Sequence, residues 1–252
     1  KIIFKYFSKP KTETIFNNLN YKNYYRHYYK CESCEHYFSN KNFFANNFYE
    51  SNYSDSTYKL AIKKNFKRVT NLPKKKSDNT HRVLRIKNFN NINCNIKYPK
   101  LLDIGSGIGV FPYQMKKNGW MVTALETDIA SSEHINNNLK IRCLNDNFYK
   151  IKLKKKFDFI TLNKVLEHVE FPQIFLKKAT KLLKSKGVIY VEVPDAINAG
   201  KKSKNREEFA IEHIHVFSMK SLKTMLENLK LKIMKIDIIK EPSGKFTIFA
   251  FA

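Results

Sequence analysis

The stretch Leu101-Leu102-Asp103-Ile104-Gly105-Ser106-Gly107-Ile108-Gly109-Val110-Phe111 decides the fold of this 252-residue chain. A short apolar run, typical of a buried strand, ends in three alternate glycines and is followed by a helical pattern. Glycine lets the backbone turn tightly and lets a ligand approach the main chain with no Cβ in the way. A ligand-binding turn between a strand and a helix is therefore predicted at Gly105, Gly107 and Gly109.

This turn differs from the dinucleotide-binding pattern Gly-x-Gly-x-x-Gly, because Val110 occupies the position of its last glycine. Asp103 also places a carboxylate just before the turn, where it would repel a pyrophosphate. The same carboxylate would attract an ammonium group, since charge-assisted hydrogen bonds are the strong ones. The turn therefore favours a ligand that carries a positive charge.

Outward from this turn, residues 98–252 alternate short aliphatic runs with helical patterns, which is typical of βαβ units and a parallel sheet. Helices are predicted at about 109–118, 129–138, 171–184 and 219–229. Pro242 and Gly244 suit a hairpin turn, so the last strand should run antiparallel to its neighbour. The class is therefore α/β, with a Rossmann-like, mostly parallel sheet of seven strands: Leu101–Ile104, Met121–Glu126, Ile141–Leu144, Phe157–Leu162, Val188–Val193, Leu231–Ile239 and Phe246–Phe251.

The first 97 residues are rich in Tyr, Asn and Lys and show weak periodicity. The run Lys74–Lys76 interrupts any regular pattern, and Ser77 or Asp78 could cap a helix from about Thr80 to Phe89. We therefore divide the chain into a small N-terminal region at 1–50, a helical linker at 51–97 and the α/β domain at 98–252.

The charge is strongly positive, with 47 basic and 22 acidic residues and a formal net charge of +25. Lysine outnumbers arginine 41 to 6, whereas readers of phosphates and bases favour the bidentate fork of arginine. The excess charge is also spread along the chain. Nucleic acid is therefore not the expected partner, and the lysine surface is predicted to attract polyanions only weakly and in a salt-dependent way.

No window approaches the ~18 apolar residues of a membrane span, and no signal-peptide pattern opens the sequence. Four cysteines are too few for a disulfide scaffold in a chain of this length. We therefore expect a cytoplasmic protein.

At the glycine turn the sequence resembles the class I S-adenosylmethionine (SAM)-dependent methyltransferases, whose first motif has the form Asp-x-Gly-x-Gly-x-Gly. Further positions of residues 100–252 agree in order and spacing, including Leu166-Glu167-His168 after the fourth strand and the turn Leu183–Gly187 before the fifth. The resemblance implies that Glu126 binds the ribose hydroxyls and that Asp146 contacts the adenine amino group. It implies a SAM site formed by Asp103, Gly105, Gly107, Gly109, Glu126, Asp146 and Asn163.

Cys31 and Cys34 have the spacing of a zinc knuckle, in which two thiolates lie on a tight turn. A structural zinc site needs four ligands, and His27 or His36 could contribute. In a branch of the family similar to nucleotide-sugar C-methyltransferases, a zinc-binding module with an earlier Cys-x-x-Cys precedes the catalytic domain. The resemblance implies that residues 1–50 are a truncated module of this kind, in which zinc would bind poorly. Redox use and simple buried thiols are the alternatives.

Two acid–imidazole pairs are candidates for removing a proton from the acceptor. Glu212-His213 lies in a segment similar to the Glu-His-x-x-x-Phe-Ser run of nucleotide-sugar C-methyltransferases, where the histidine is a proposed base. Those enzymes tend to have Tyr at the position of Ala210, which argues against carbon methylation. The alternative is a segment that leads into a helix capped by Ser218.

The second pair, Glu167-His168, follows the fourth strand and could either take part in catalysis or only shape the floor of the pocket. A metal-dependent RNA-end methyltransferase would have Glu-x-x-Glu-His here, but Lys164 stands at the first acidic position. This substitution argues against a catalytic metal ion.

The sequence therefore predicts a SAM-dependent methyltransferase that acts on a small molecule or a nucleotide-linked sugar, with His213, Glu212 and His168 as candidate catalytic residues. Zinc is the second expected cofactor, bound by Cys31 and Cys34. The alternatives are an RNA or protein methyltransferase that docks its substrate on the lysine-rich N-terminal part, and a non-catalytic SAM-binding partner protein.

Overall fold

The computed structural model describes residues 1–11, 13, 22, 24–40 and 62–252. The chain divides into two compact units. The first unit comprises Lys1–Phe48, Lys164–Lys177 and Val191–Ala252, and the second comprises Tyr49–Asn163 and Lys178–Tyr190. Within the described ranges, no helix combines the length and hydrophobicity that crossing a bilayer requires.

The described regular elements agree with an α/β chain. The strands are β1 (Ile2–Tyr6), β2 (Arg26–Lys30), β3 (Tyr37–Ser39), β4 (Lys100–Ile104), β5 (Met121–Glu126), β6 (Arg142–Asn145), β7 (Phe157–Asn163), β8 (Leu183–Pro194), β9 (His215–Val216), β10 (Lys235–Lys240) and β11 (Phe246–Phe251). The α-helices are α1 (Ile62–Thr70), α2 (Asp78–Phe89), α3 (Val110–Lys117), α4 (Ile129–Glu133), α5 (Pro172–Thr180), α6 (Ala196–Lys202) and α7 (Met219–Asn228).

Seven of these strands form one sheet in the order β10-β11-β8-β7-β4-β5-β6. Strand β4 pairs in parallel with both β5 and β7, and β5 pairs in parallel with β6. Strands β10 and β11 are antiparallel and are joined by a turn in which the amide of Gly244 donates to the carbonyl of Glu241 at 2.8 Å. The predicted Rossmann-like sheet and its antiparallel last strand are therefore confirmed.

The second unit has an aliphatic core against the β5 and β6 side of the sheet. Ala124, Ile135, Leu139, Ile141 and Cys143 are buried together, and Phe66, Tyr113 and Val122 pack against them. Burial of such side chains is the main favourable contribution to folding. Because Phe66 lies on α1 and Tyr113 on α3, this core ties both helices to the parallel strands.

The helix predicted from Thr80 to Phe89 is present as α2, and Ser77 rather than Asp78 caps it. The hydroxyl of Ser77 accepts a hydrogen bond from the backbone amide of Thr80 at 3.2 Å. The described part of the predicted linker is mostly helical, but residues 41–61 lie outside the described residues. The division at residues 50 and 97 therefore stays a prediction.

One element differs from the prediction made for residues 183–194. The sequence predicted a helix to 184, a turn at Leu183–Gly187 and a strand at Val188–Val193, whereas α5 ends at Thr180 and β8 already begins at Leu183. A Cβ on Gly187 would lie 2.9 Å from the carbonyl oxygen of Phe157. Gly187 therefore allows close approach of two backbones within the sheet, which lets the polar run Lys184–Lys186 continue a strand.

The first unit contains a second sheet that the sequence did not predict, with the antiparallel order β1-β2-β3-β9. Its interior holds a buried ion pair in which Arg26 Nη2 lies 2.5 Å from Glu13 Oε2, with both side chains 1% exposed. Tyr24 donates to the other carboxylate oxygen at 2.5 Å, and the Arg26 guanidinium lies over the ring of Tyr6 at 4.1 Å.

Replacing Arg26 by Met should destabilise the chain by about 3–5 kcal/mol, because Glu13 would be left as a buried and uncompensated charge. Urea unfolding at pH 7 measures this loss. The double variant Arg26→Met with Glu13→Gln should recover most of the stability, because no buried charge remains. Equal stabilities of the single and double variants would contradict this account.

Candidate functional site

The glycine turn after β4 has the left-handed backbone that glycine alone adopts easily. Gly105, Gly107 and Gly109 have φ values of 72°, 52° and 81°. The amides of Gly105 and Ser106 donate to the carbonyl of Leu125 at 2.9 and 3.2 Å, which fastens the turn to β5. A Cβ built on Gly107 would meet no atom of the described residues within 4 Å. The backbone at Gly107 is therefore open to a ligand.

Asp103 is 1% exposed and is held by the neighbouring strand β7. The Thr161 hydroxyl and the Asn163 amide nitrogen both donate to Asp103 Oδ1, at 2.7 and 2.9 Å. Burial raises the pKa of Asp103 to about 6, and the hydrogen bonds only partly oppose this effect. Asp103 is therefore mostly ionised at neutral pH and becomes mostly protonated in mild acid.

Glu126 ends β5 and faces the glycine turn. Its Oε2 accepts from the amide of Gly107 at 2.6 Å, and its Oε1 accepts from the amide of Asp128 at 3.0 Å. Burial raises the pKa of Glu126, and these amide donors oppose the rise. Oε1 also accepts from the Thr127 hydroxyl at 3.4 Å. A carboxylate oxygen has two lone pairs, so Oε2, bonded to the Gly107 amide, can also accept from a ligand hydroxyl.

Asp146 follows β6 and is exposed. Its Oδ1 accepts from the amide of Asn147 at 2.6 Å, which orients the side chain in a local turn. The residues near the carboxyl ends of β7, β4, β5 and β6 are thus Asn163, Asp103, Glu126 and Asp146, in the order of the strands in the sheet. Ligands of open α/β sheets bind at this edge.

Arg82 is a functional candidate that the sequence analysis missed. It lies on α2, is only 8% exposed, and lowers the pKa of Asp103 through its positive charge. Its Nη1 also donates to Asn79 Oδ1 at 2.9 Å. A buried arginine within Coulombic range of a buried aspartate could offer opposite charges to one ligand. The available sequence signal was weak, because Arg82 is one of six arginines in a chain with 41 lysines.

The first unit brings Glu167, His168 and His213 together, with one ligand atom of each within 4.8 Å of the others. The ring atom Nδ1 of His168 lies 3.1 Å from the carbonyl oxygen of Glu212, and Nδ1 of His213 lies 2.9 Å from that of Glu208. Carbonyl oxygens only accept, so both imidazoles carry their proton on Nδ1 and present a lone pair on Nε2.

Both imidazoles are uncharged at neutral pH. Burial lowers the pKa of His168 to about 3, and the neighbouring His213 adds to this effect. Burial likewise lowers the pKa of His213 to about 4, and the ammonium of Lys164 lowers the pKa of both rings further. The predicted pair Glu212-His213 therefore contributes in two ways: Glu212 holds His168 through its backbone carbonyl, and His213 offers a nitrogen lone pair.

Cys31 and Cys34 lie on a tight turn in which the amide of Glu35 donates to the carbonyl of Cys31 at 2.9 Å. Both thiols are free. The Ser33 hydroxyl and then the Cys34 amide lower the pKa of Cys31 to about 6. Among the described residues, the cluster of three potential metal ligands is Glu167, His168 and His213, so no third ligand joins this pair. Zinc binding at Cys31 and Cys34 stays a prediction.

The two histidines considered as further zinc ligands lie elsewhere. His36 Nε2 is 2.9 Å from His215 Nδ1, and His36 Nδ1 is 3.4 Å from the Ser221 hydroxyl. His27 lies in β2 with its ring packed on Tyr25 and Tyr29. The described polar contacts of His36, which directly precedes β3, are therefore with His215 in β9 and Ser221 in α7, rather than with the thiols.

Residues 58–236 match the family model of a methyltransferase domain. A ubiquinone biosynthesis O-methyltransferase of Rickettsia bellii (strain OSU 85-389) is 29% identical over 155 residues, which cover 54% of this chain and 63% of that protein. Another, from Pelagibacter ubique (strain HTCC1062), is 34% identical over 101 residues, which cover 38% and 42%. The matches thus span less than two thirds of these curated relatives.

Among solved structures, a magnesium protoporphyrin IX methyltransferase of Synechocystis PCC 6803 with bound SAH is similar with a TM-score of 0.61. It is 11% identical, and the match covers 79% of this chain and 96% of that protein. At this identity the similarity shows a shared fold.

Replacing Gly109 by Ala should destabilise the chain by about 1–3 kcal/mol more than replacing Gly119 by Ala, because the new methyl group overpacks the core. A Cβ on Gly109 would lie 2.7 Å from Ile135 Cγ1 and 2.8 Å from Leu139 Cδ1. Gly119 is a matched control, with a φ of 83° against 81° and no atom within 4 Å of its added Cβ. Urea unfolding of both variants measures the difference, and equal losses would show that backbone strain alone acts at Gly109.

Proposed function

The chain belongs to the methyltransferase-domain family of class I SAM-dependent enzymes, and we propose that it moves the methyl group of SAM to a hydroxyl oxygen of a small organic acceptor. The observation that carries the proposal is the buried Asp103 carboxylate directly before an open glycine turn, with Glu126 bonded to that turn. When bound, SAM supplies an activated methyl group on a positively charged sulfur.

The residues of the second unit fit this cofactor. Asn163 Oδ1 is buried and accepts no hydrogen bond within the described part of the chain, while the amide nitrogen of the same side chain donates to Asp103. Such an acceptor beside a buried carboxylate suits an ammonium group, which has three protons to donate. Asp103 and Asn163 would hold the amino group of SAM, Glu126 the ribose hydroxyls and Asp146 the adenine amino group.

Arg82 is the candidate for binding the carboxylate of SAM, because its charge is opposite. The amino-acid part of SAM carries a carboxylate as well as an ammonium group, and an arginine binds a carboxylate through two parallel hydrogen bonds. The positive charge of Arg82 lowers the pKa of Asp103, so the two opposite charges lie within Coulombic range of each other. We assign Arg82 to the carboxylate of SAM.

The first unit supplies the candidate base. His213 is uncharged at neutral pH and has its Nε2 lone pair directed away from the bond made by Nδ1. It can take the proton of an acceptor hydroxyl as the oxygen–methyl bond forms. The names of the curated relatives, which are O-methyltransferases, support oxygen as the acceptor atom.

A nucleotide-linked sugar is the second candidate acceptor. The segment Glu212–Ser218 supports it through its similarity to nucleotide-sugar C-methyltransferases. Ala210 weighs against methylation of a sugar carbon, because those enzymes tend to have a tyrosine there. A sugar hydroxyl would suit the same base.

Affinity for SAM should fall about tenfold between pH 7 and pH 5, because binding to a protonated carboxyl group first requires loss of its proton. Asp103, with a pKa of about 6, is charged at the upper pH and mostly neutral at the lower one. Titration calorimetry with SAM at both pH values measures the change. An affinity that does not change with pH would count against Asp103 as the ammonium ligand.

Two variants serve as controls in the same titration. Asp103→Asn should bind weakly at pH 7 and lose the pH dependence, because an amide does not ionise in this range. Arg82→Met should bind more weakly at both pH values, since a charge-assisted contact contributes roughly 1.5–3 kcal/mol. Unchanged affinity of Arg82→Met would remove Arg82 from the site.

Methyl transfer should disappear in His213→Gln while the Kd for SAM stays within about twofold of the original, because the base touches the acceptor rather than the cofactor. Radiolabelled SAM with a substituted catechol and with a nucleotide-linked hexose, in separate assays, measures transfer. His215→Gln is a matched control, because both ring nitrogens of His215 already contact His36 and the Glu170 carbonyl. Full activity of His213→Gln would exclude His213 as the base.

A further inference from the structure

The turn that follows β6 is closed by hydrogen bonds around Asn147. The backbone amides of Lys150 and Ile151 donate to the carbonyl of Asn147 at 2.9 and 3.0 Å. The amide of Tyr149 donates to the side-chain oxygen Oδ1 of Asn147 at 2.8 Å. An asparagine that accepts from the backbone two residues further on is typical of a tight turn. Asn147 therefore organises the backbone of residues 147–151.

Asp146 is tied to the same turn. The amide of Asn147 donates to Asp146 Oδ1 at 2.6 Å, and Asp146 is exposed. A carboxylate oxygen has two lone pairs, so Asp146 can accept a further hydrogen bond from a ligand. The direction in which this carboxylate points therefore depends on where the turn holds the amide of Asn147.

Lys178 anchors the other end of the turn from helix α5. Its ammonium donates to the carbonyl oxygens of Tyr149 and Ile151 at 2.9 and 2.7 Å. The same ammonium lies 5.3 Å from the ring centroid of Phe148, which is buried, so the cation also faces an aromatic ring of the turn. Hydrogen bonds from a charged donor are stronger than those between neutral groups. One lysine therefore holds three residues of the turn.

A continuous series of hydrogen bonds leads from Lys178 to Asp146. Lys178 binds the carbonyl of Ile151, and the amide of Ile151 binds the carbonyl of Asn147. The amide of Asn147 in turn binds the carboxylate of Asp146. All four residues belong to the second unit. Removal of the ammonium would therefore release the turn at one end and, through it, the carboxylate at the other.

We propose that Lys178 is a positioning residue, which holds the turn 146–151 so that the Asp146 carboxylate meets the amino group of adenine. The proposal rests on the proposed binding of SAM, and it adds a means of recognising the base. The amino group donates and the carboxylate accepts, so a purine without the amino group forfeits this hydrogen bond. Lys178 acts on the base through Asp146 rather than by contact.

The test is calorimetry of the full chain with S-adenosylhomocysteine (SAH) and with its analogue that carries unsubstituted purine, in which hydrogen replaces the amino group. The original chain should bind SAH at least about tenfold more tightly than the analogue, because a hydrogen bond to a charged group is lost. Lys178→Met should lower this preference to about threefold or less and keep the affinity for the analogue within about twofold. Lys181→Met is the matched control, since it removes an exposed lysine just after α5, and it should keep the original preference.

Two further measurements separate positioning from a general loss of structure. In Asp146→Ala, the added change Lys178→Met should alter the preference no further, because one hydrogen bond can be lost only once. Hydrogen exchange without any ligand should be at least about tenfold faster at the amides of Lys150 and Ile151 in Lys178→Met, while the amides of β4 keep their original rates.

Several results would overturn the proposal. One is a Lys178→Met variant that keeps the original preference for SAH, or that binds both ligands more weakly by the same factor. Another is an original chain that binds SAH and the purine analogue equally well. Equal exchange rates of the turn in the original chain and in Lys178→Met would also contradict it. An original chain that binds neither ligand would refute the proposed function instead, and the exchange measurement would still decide whether Lys178 holds the turn.

Discussion

The left-handed backbone at Gly105, Gly107 and Gly109 is the constraint on which the second unit depends. It lets the amides of Gly105 and Ser106 reach the carbonyl of Leu125, and it brings the amide of Gly107 onto the Glu126 carboxylate. At Gly109 the space that a side chain would need is filled by Ile135 and Leu139. One turn therefore connects the hydrophobic core to the carboxylates that would bind SAM.

In the first unit, buried polar groups hold the segment that contains the candidate base. The Tyr28 hydroxyl donates to the carbonyls of Ala210 and His213 at 3.1 and 2.7 Å, and His168 is bonded to the carbonyl of Glu212. Ser218 and Ser221 together cap the N-terminus of α7. The segment that contains His213 therefore leads into a capped helix, as the second interpretation of the sequence predicted. Scaffold and base are therefore compatible roles, because the backbone serves one and the His213 ring the other.

Strands with aliphatic runs were predicted well, since their pattern is local. Both bounds of Met121–Glu126 and Phe246–Phe251 were predicted correctly. The sheet of β1, β2, β3 and β9 was missed, because its strands have only two to five residues and because β3 pairs with β9, which is distant in the sequence. The start of β8 was missed because Lys184–Gly187 reads as a turn, although Gly187 is needed there for the close approach of Phe157.

By itself, the sequence determined the glycine turn, the succession of strands and helices in residues 98–252, and the acidic residues near the ends of β4 and β5. These features follow from backbone geometry and from periodicity, which act over a few residues. Only the tertiary structure decided that the charge of Arg82 lowers the pKa of Asp103 and that His213 joins Glu167 and His168. Most of these partners are separated by many residues in the chain, so packing rather than local pattern brings their charges together.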